Sequence, residues 1–313
     1  MCNAESNELL AALAPELNEK IDWPTEKKFA VLKTAAPDML PFTEELSDEI
    51  DSEKFALSFL IQPLLFLRIR PGKSESVIEK LNEAKLPFEK ITNSCIALPQ
   101  GSKTDEVLVL NREAVVQDRN SQLVFSYLKK ENIPLPKNVR VWDCCAASGG
   151  KSILLYDMLH GIADLQVSDV RANILNNLRS RFKDAGIKKY HAFTADLTSD
   201  FSLVPPEKFD LIICDAPCTG SGTWARTPEQ LSFFNKKSID DYAEMQKKIA
   251  SAALPYLKEG GLFFYITCSV FKKENEEVAQ YLKEKFHLQL LQMEYLKGYD
   301  KRADTMFVSV FKN

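Results

Sequence analysis

Apolar residues recur every three or four positions early in the chain. Leu9, Leu10, Leu13, Leu17 and Ile21 share one face of a predicted helix. Asp22-Trp23-Pro24 ends it, a second helical run covers about residues 25–34, and Pro37 and Pro41 punctuate the next stretch. From residue 64 the period changes. Residues 64–69 read as a strand closed by Arg70-Pro71-Gly72-Lys73, and Ser74 opens a helix to about residue 84. Strand-like runs at 91–98 and 107–110 complete a small α+β unit. Residues 124–130 read as helix, and Pro134 and Pro136 mark a linker.

Beyond the linker, strands and helices alternate. Strands are predicted at 139–145, 164–170, 190–194, 209–215 and 261–269, with helices at 151–159, 172–185, 240–257 and 274–285. This alternation predicts an α/β fold with a doubly wound, mostly parallel sheet. A last strand at 305–311 is expected as an antiparallel edge partner. The expected division is a helical segment at 1–60, a small α+β unit at 61–120 and the large sheet domain at 121–313.

Composition narrows the class. The 313 residues are 45% hydrophobic and 27% charged, as in an ordinary globular protein. The longest apolar stretch, 55–67, is interrupted by Ser58, Gln62 and Pro63. It falls short of the roughly 20 residues that span a bilayer, so no membrane association is expected. The N-terminus has no basic region followed by an apolar one, so no signal peptide is expected. Seven cysteines, two of them adjacent, make no disulfide framework and point to a reducing cytoplasm. Net charge is −4, but residues 1–60 carry 13 acids against 5 lysines, leaving the rest mildly basic. Anion binding needs a local basic face, which that balance permits.

In open α/β sheets, ligands bind at the carboxyl ends of the strands. Four strands here end in chemistry. The first runs into Asp143-Cys144-Cys145-Ala146-Ala147-Ser148-Gly149-Gly150-Lys151, where two glycines allow close approach to the backbone. The second ends at Asp169, 20 residues beyond Gly149, a spacing suited to ribose hydroxyls. A nucleoside-bearing cofactor is one reading, and an ordinary turn with an ordinary helix cap is the other. Gly150-Lys151-Ser152 also resembles the end of a phosphate-binding loop, but Cys145 stands where that loop needs glycine. The third site is Asp215-Ala216-Pro217-Cys218-Thr219-Gly220-Ser221-Gly222, and the fourth is Thr267-Cys268-Ser269 before Glu274-Asn275-Glu276. Cys218 and Cys268 are candidate nucleophiles, and spacing does not choose between them. Cys144, Cys145 and Cys214 read as small core residues, and no metal is expected.

The stretches DCCAASGGK, SDVRANIL, DAPCTGSGTWARTPE and TCSVFKKENEE, in this order, resemble the motifs of the Nop/Sun (Fmu-type) RNA cytosine-C5 methyltransferases. FLRIRPGK and VQDRNSQ upstream resemble that family too, and the resemblance covers roughly residues 64–313. It is greatest to the bacterial small-subunit rRNA enzymes, which carry a fuller helical domain in front. The resemblance implies a Rossmann-like methyltransferase domain, S-adenosyl-L-methionine as methyl donor, and RNA as partner, rRNA ahead of tRNA. A monomer is expected.

By the same resemblance Cys145, Ala146, Ala147, Ser148, Gly149, Gly150 and Lys151 would cradle the cofactor. Asp169 would take its ribose hydroxyls, Asp196 the adenine amine, and Asp215 would line the same site. Cys268 would be the nucleophile, Cys218 would assist release, and Asp215 would act at cytosine N3. Departures from the family pattern are Ser148 for proline, Ile174 for arginine with Arg171 nearby, and Ala225-Arg226 where two basic residues are usual. Arg68, Arg70 and Lys73 are candidates for holding flanking RNA, and Lys236, Lys237, Lys272 and Lys273 for phosphate contacts. Two other classes remain as rivals: a P-loop NTPase, and a non-catalytic RNA-binding factor that keeps the fold.

Overall fold

Pro15 decides how the chain begins. It lacks an N–H and restricts the residue before it, so the expected single helix is split. In the computed structural model, which describes residues 8–32, 40, 42–199, 204 and 206–313, α1 (Glu8–Leu13) and α2 (Pro15–Asn18) flank a non-helical Ala14. Helix α3 (Thr25–Leu32) comes next, and the expected continuation to residue 34, with Pro37 and Pro41, lies outside the described residues. Asp51 caps α4 (Ser52–Ser58) by accepting the Lys54 N–H at 3.0 Å, and α4 buries Phe55 and Ala56 in the main core.

The small sheet has the order β2-β3-β1-β4, with β1 (Leu65–Ile69), β2 (Glu89–Lys90), β3 (Cys95–Leu98) and β4 (Ala114–Val116), and every pairing is antiparallel. Helix α5 (Ser74–Glu83) lays Val77 and Leu81 on Leu67, Ile69, Ile96 and Leu98. The strand expected at 107–110 is absent. A 3-10 turn occupies Thr104–Glu106, and the buried Glu113 carboxylate accepts the Val109 N–H at 2.8 Å while pairing with Lys80 at 2.7 Å. A backbone donor satisfied by a side chain has no need of a ladder, and the strand forms at β4 instead.

Arg68 on β1 and Arg70 just after it, expected as RNA contacts, are engaged within the protein. Arg68 is 4% exposed, and Asp157 holds both Arg68 and Arg70 at 2.6 Å. These arginines lock the small sheet to the large domain; Lys73 stays exposed. Removing both leaves Asp157 buried without its counter-ions, and such a loss costs about 3–5 kcal/mol. Denaturant unfolding of the Arg68→Ala/Arg70→Ala variant should show that loss, and an unchanged midpoint would contradict it.

After α6 (Ser126–Lys130) comes β5 (Arg140–Asp143), then α7 (Gly150–Met158), β6 (Asp164–Asp169), α8 (Ala172–Asp184), β7 (Tyr190–Thr194) and β8 (Phe209–Asp215). Helix α9 (Lys237–Ala253), β9 (Leu257–Thr267), α10 (Glu276–Phe286), β10 (Gln289–Leu296) and β11 (Met306–Lys312) complete the sheet. Its order is β10-β11-β9-β8-β5-β6-β7, parallel from β9 to β7 and antiparallel at β10 and β11. Alternate residues serve opposite faces. Trp142, Ile212, Phe263 and Tyr265 enter the core shared with α4, α9 and α10, whereas Val141, Ile213 and Phe264 face α7 and α8. The last strand is antiparallel as expected but not at the edge. Met306–Phe311 are buried throughout, and β10 takes the edge.

Candidate active site

Chain order reverses at β5, whose neighbours are β6 on one side and β8 on the other. That switch point opens a crevice beyond the strand ends. Between β5 and α7 the backbone turns through Ala147 (φ 46°) and Gly149 (φ 82°). A Cβ at Gly149 would lie 2.6 Å from the ring of Phe182, so close helix packing requires glycine there. Where the family pattern has proline, the Ser148 carbonyl and hydroxyl accept from Arg181 at 3.1 and 2.7 Å. A half-buried guanidinium thus pins the turn that a proline ring would stiffen.

A cavity of about 380 Å³ opens beside this turn, in the size range of cofactor sites. Cys145, Ala147, Asp169, Asp196 and Asp215 line it, with apolar walls from Val170, Leu197, Met245 and Ile249. The cradle residues Ala146, Ser148, Gly149, Gly150 and Lys151 build the turn without lining the cavity. Asp169 accepts the Ala147 N–H at 3.0 Å and binds Arg171 at 2.9 Å. Burial would raise its carboxyl, but the Arg171 hydrogen bonds hold it below the usual carboxylate range. Arg171 is thus tied to the strand-end acid, three positions before Ile174. Asp196 lies two residues past β7, and hydrogen bonds from Thr198 and Ser199 lower its pKa.

Two loops bring the remaining candidates together. The Cys218 and Cys268 sulfur atoms are 3.3 Å apart. Hydrogen bonding to Cys268, then burial, pushes the Cys218 thiol well above its ordinary pKa. Glu274, fully buried, ties the loops: it accepts from Thr219 N–H at 2.9 Å, Thr219 Oγ1 at 2.6 Å, Ser269 Oγ at 2.6 Å and Gln246 Nε2 at 2.9 Å. Asn275 donates to the Ser269 carbonyl at 2.8 Å. Gly222 explains the glycine after the Pro-Cys pair. Its N–H donates to the Cys268 carbonyl at 2.8 Å, and a Cβ there would lie 2.1 Å from the Thr305 carbonyl oxygen.

Lys151 points across the turn to Asp215, with Nζ 2.6 Å from Oδ2. Burial opposes its charge, yet Asp215 raises its pKa above the ordinary value, with a further contribution from Cys268. This ion pair joins the first and third motifs, which sequence reading treats separately. Sequence reading also leaves Asp143 out of the site, although it opens the first motif. Ser152 donates to its Oδ2 at 2.5 Å, its Oδ1 has no partner among the described residues, and burial pushes the carboxyl up to about 7.

The lysines suggested for phosphate contacts are largely engaged. Lys236 reaches Glu44 and Glu45 at 2.7 Å each, Lys273 reaches Asp240 at 2.8 Å, and Lys272 reaches Asp48 at 3.2 Å. Arg226 is held by Asp118 at 2.8 Å and Asp304 at 2.6 Å. Glu44, Glu45 and Asp48 of the acidic N-terminal region thus pair with Lys236 and Lys272. Among the described residues, no helix is long and apolar enough to cross a membrane, and the six described cysteines are free.

Comparison with known proteins agrees with this geometry. Residues 133–308 match the model of the family described as 16S rRNA methyltransferase RsmB/F. A curated relative, "Probable ribosomal RNA small subunit methyltransferase B" of Bacillus subtilis (strain 168), is 28% identical over 233 residues, covering 72% of this chain and 51% of the relative. The chain thus spans about half the length of that relative. Among solved structures, that of PH0851 superposes with a TM-score of 0.78 at 20% identity, over 97% of this chain and 75% of the other. NSun6 from Pyrococcus horikoshii with SFG gives 0.71 at 14% identity, over 84% and 94%. These likenesses establish the Rossmann-like methyltransferase fold.

Proposed function

The chain belongs to the 16S rRNA methyltransferase RsmB/F family, and on that premise we propose that it methylates C5 of a cytosine in RNA, with rRNA as the substrate class, through a covalent bond from Cys268 to C6. The observation that carries this reading is the Cys218–Cys268 pair beside the Lys151–Asp215 ion pair.

S-adenosylmethionine, when bound, supplies an electrophilic methyl group. The cavity suits that cofactor: three carboxylates face a ligand that offers hydroxyl and amino donors and a positive charge, and the apolar walls accept a flat ring. The neighbour crystallised with the analogue SFG supports the same assignment. Asp169 would take the ribose and Asp196 the adenine. Asp169→Ala is expected to weaken S-adenosylmethionine binding by about 1.5–3 kcal/mol, the worth of a charged hydrogen bond. Calorimetry on the folded variant checks it, and unchanged affinity would remove Asp169 from the site.

Cytosine C5 is a weak nucleophile. Attack of the Cys268 thiolate on C6 makes C5 enamine-like, and charge that collects on the ring is met at N3. Asp215 must offer a proton there, and Lys151, 2.6 Å away, holds the proton the two share. Once C5 carries the methyl group, its proton passes to solvent, the C6–sulfur bond breaks, and N3 returns its proton to the Asp215–Lys151 pair. The Cys218 thiol, 3.3 Å from Cys268, donates to the departing thiolate and so favours release. The target base must leave its stack to enter such a site, which favours a looped or opened RNA. Bisulfite mapping of cellular RNA with and without this gene tests the proposal: one or a few protected cytosines should disappear with the gene, and an unchanged map contradicts it.

A further inference from the structure

Of the four described thiols outside the reacting pair, three cluster. Cys144 and Cys145 come directly after β5, and Cys214 is the penultimate residue of β8. The strands pair in parallel with Asp143 opposite Ile213, and the Cys144 N–H donates to the Ile213 carbonyl at 2.9 Å. The register therefore sets Cys144 level with Cys214, and all three sulfur atoms lie within 4.8 Å of one another. Cys144 and Cys214 are buried. Cys145 is half-buried, and it lines the 380 Å³ cavity together with Cys144, so a solute in the cavity can reach the cluster.

The size of this triangle is informative. Three sulfurs bound to one ion at about 2.3 Å in a plane stand about 4.0 Å apart. The 4.8 Å bound on the three separations admits that spacing. Thiolates select soft cations over hard ones, and among the described residues no histidine or carboxylate belongs to the cluster.

We propose that Cys144, Cys145 and Cys214 form a three-thiolate site for a soft, thiophilic cation, and that its occupation excludes the cofactor from the adjoining cavity. The charge balance is simple: a divalent ion enters, up to three thiol protons leave, and no oxidation is involved. The exclusion rests on the cofactor assignment above, whereas the metal site does not.

Cadmium ion alone serves as the probe, on the full chain carrying Cys218→Ser and Cys268→Ser so that the reacting pair cannot contribute. One cadmium per chain should produce the ultraviolet thiolate-to-cadmium band, and X-ray absorption should count three sulfur neighbours. Adding Cys145→Ala on that background should abolish the stoichiometric band; Cys214→Ala should do the same. Cadmium should also suppress calorimetric binding of S-adenosylhomocysteine. No band in the double variant, a band that survives Cys145→Ala, or fewer than three sulfurs overturns the site. Cadmium binding that leaves S-adenosylhomocysteine affinity unchanged overturns the exclusion. A metal-free chain that binds no S-adenosylhomocysteine overturns the cofactor assignment instead, while the cadmium band reads the site independently.

Discussion

Cys268→Ala is expected to reduce methyl transfer by about 10⁴-fold or more, because it removes the thiol proposed to make the bond to C6. Cys218→Ala is expected to fail differently. It can attack and methylate once, but the departing thiolate has lost its hydrogen-bond donor 3.3 Å away. The methylated RNA then remains attached. A denaturing gel after incubation with RNA and S-adenosylmethionine should show a covalent species for Cys218→Ala and none for Cys268→Ala or the double variant. A covalent intermediate accumulates only when release is slower than formation. The reverse pattern would exchange the two roles. No adduct with either, on a verified RNA, would contradict covalent catalysis and favour a non-catalytic RNA-binding role.

Lys151→Met is expected to lower kcat by about 10²–10³-fold, the usual cost of losing one group that stabilises charge in the transition state. Methionine keeps the length and apolar body of the side chain. It leaves Asp215 without the ammonium that now lies 2.6 Å from its Oδ2. Cofactor affinity should change little, since Lys151 does not line the cavity. Separate measurements of kcat and of S-adenosylhomocysteine binding decide the matter. A large loss of affinity with kcat retained would return Lys151 to the cofactor cradle.

Much of the sheet is legible in the sequence because its strands are buried on both faces and read as continuous runs such as Leu211 to Cys214. The same rule misleads at 107–110, where four apolar residues in a row wrap a turn stabilised by the Glu113 side chain. Strand β10 escapes notice because an exposed edge mixes Gln289, Gln292 and Glu294 with its apolar residues, blurring the period. Site residues can be named from motifs, yet their partners cannot. Nothing in the spacing joins Lys151 to Asp215, 64 positions apart, or Thr219 to Glu274, 55 apart. Arginines mislead for a related reason. Arg68 and Arg70 look like surface cations in the sequence, and only the fold reveals Asp157 between them.

Methyl transfer to cytosine C5 is the claim on which the rest depends, and nucleoside mass spectrometry reads it directly. The purified chain would be incubated with small-subunit rRNA and S-adenosylmethionine, and the RNA digested to nucleosides. The mechanism requires 5-methylcytidine with the wild-type chain and none with Cys268→Ala. A methyl group on any other atom, or no 5-methylcytidine from a chain that binds both cofactor and RNA, would contradict it.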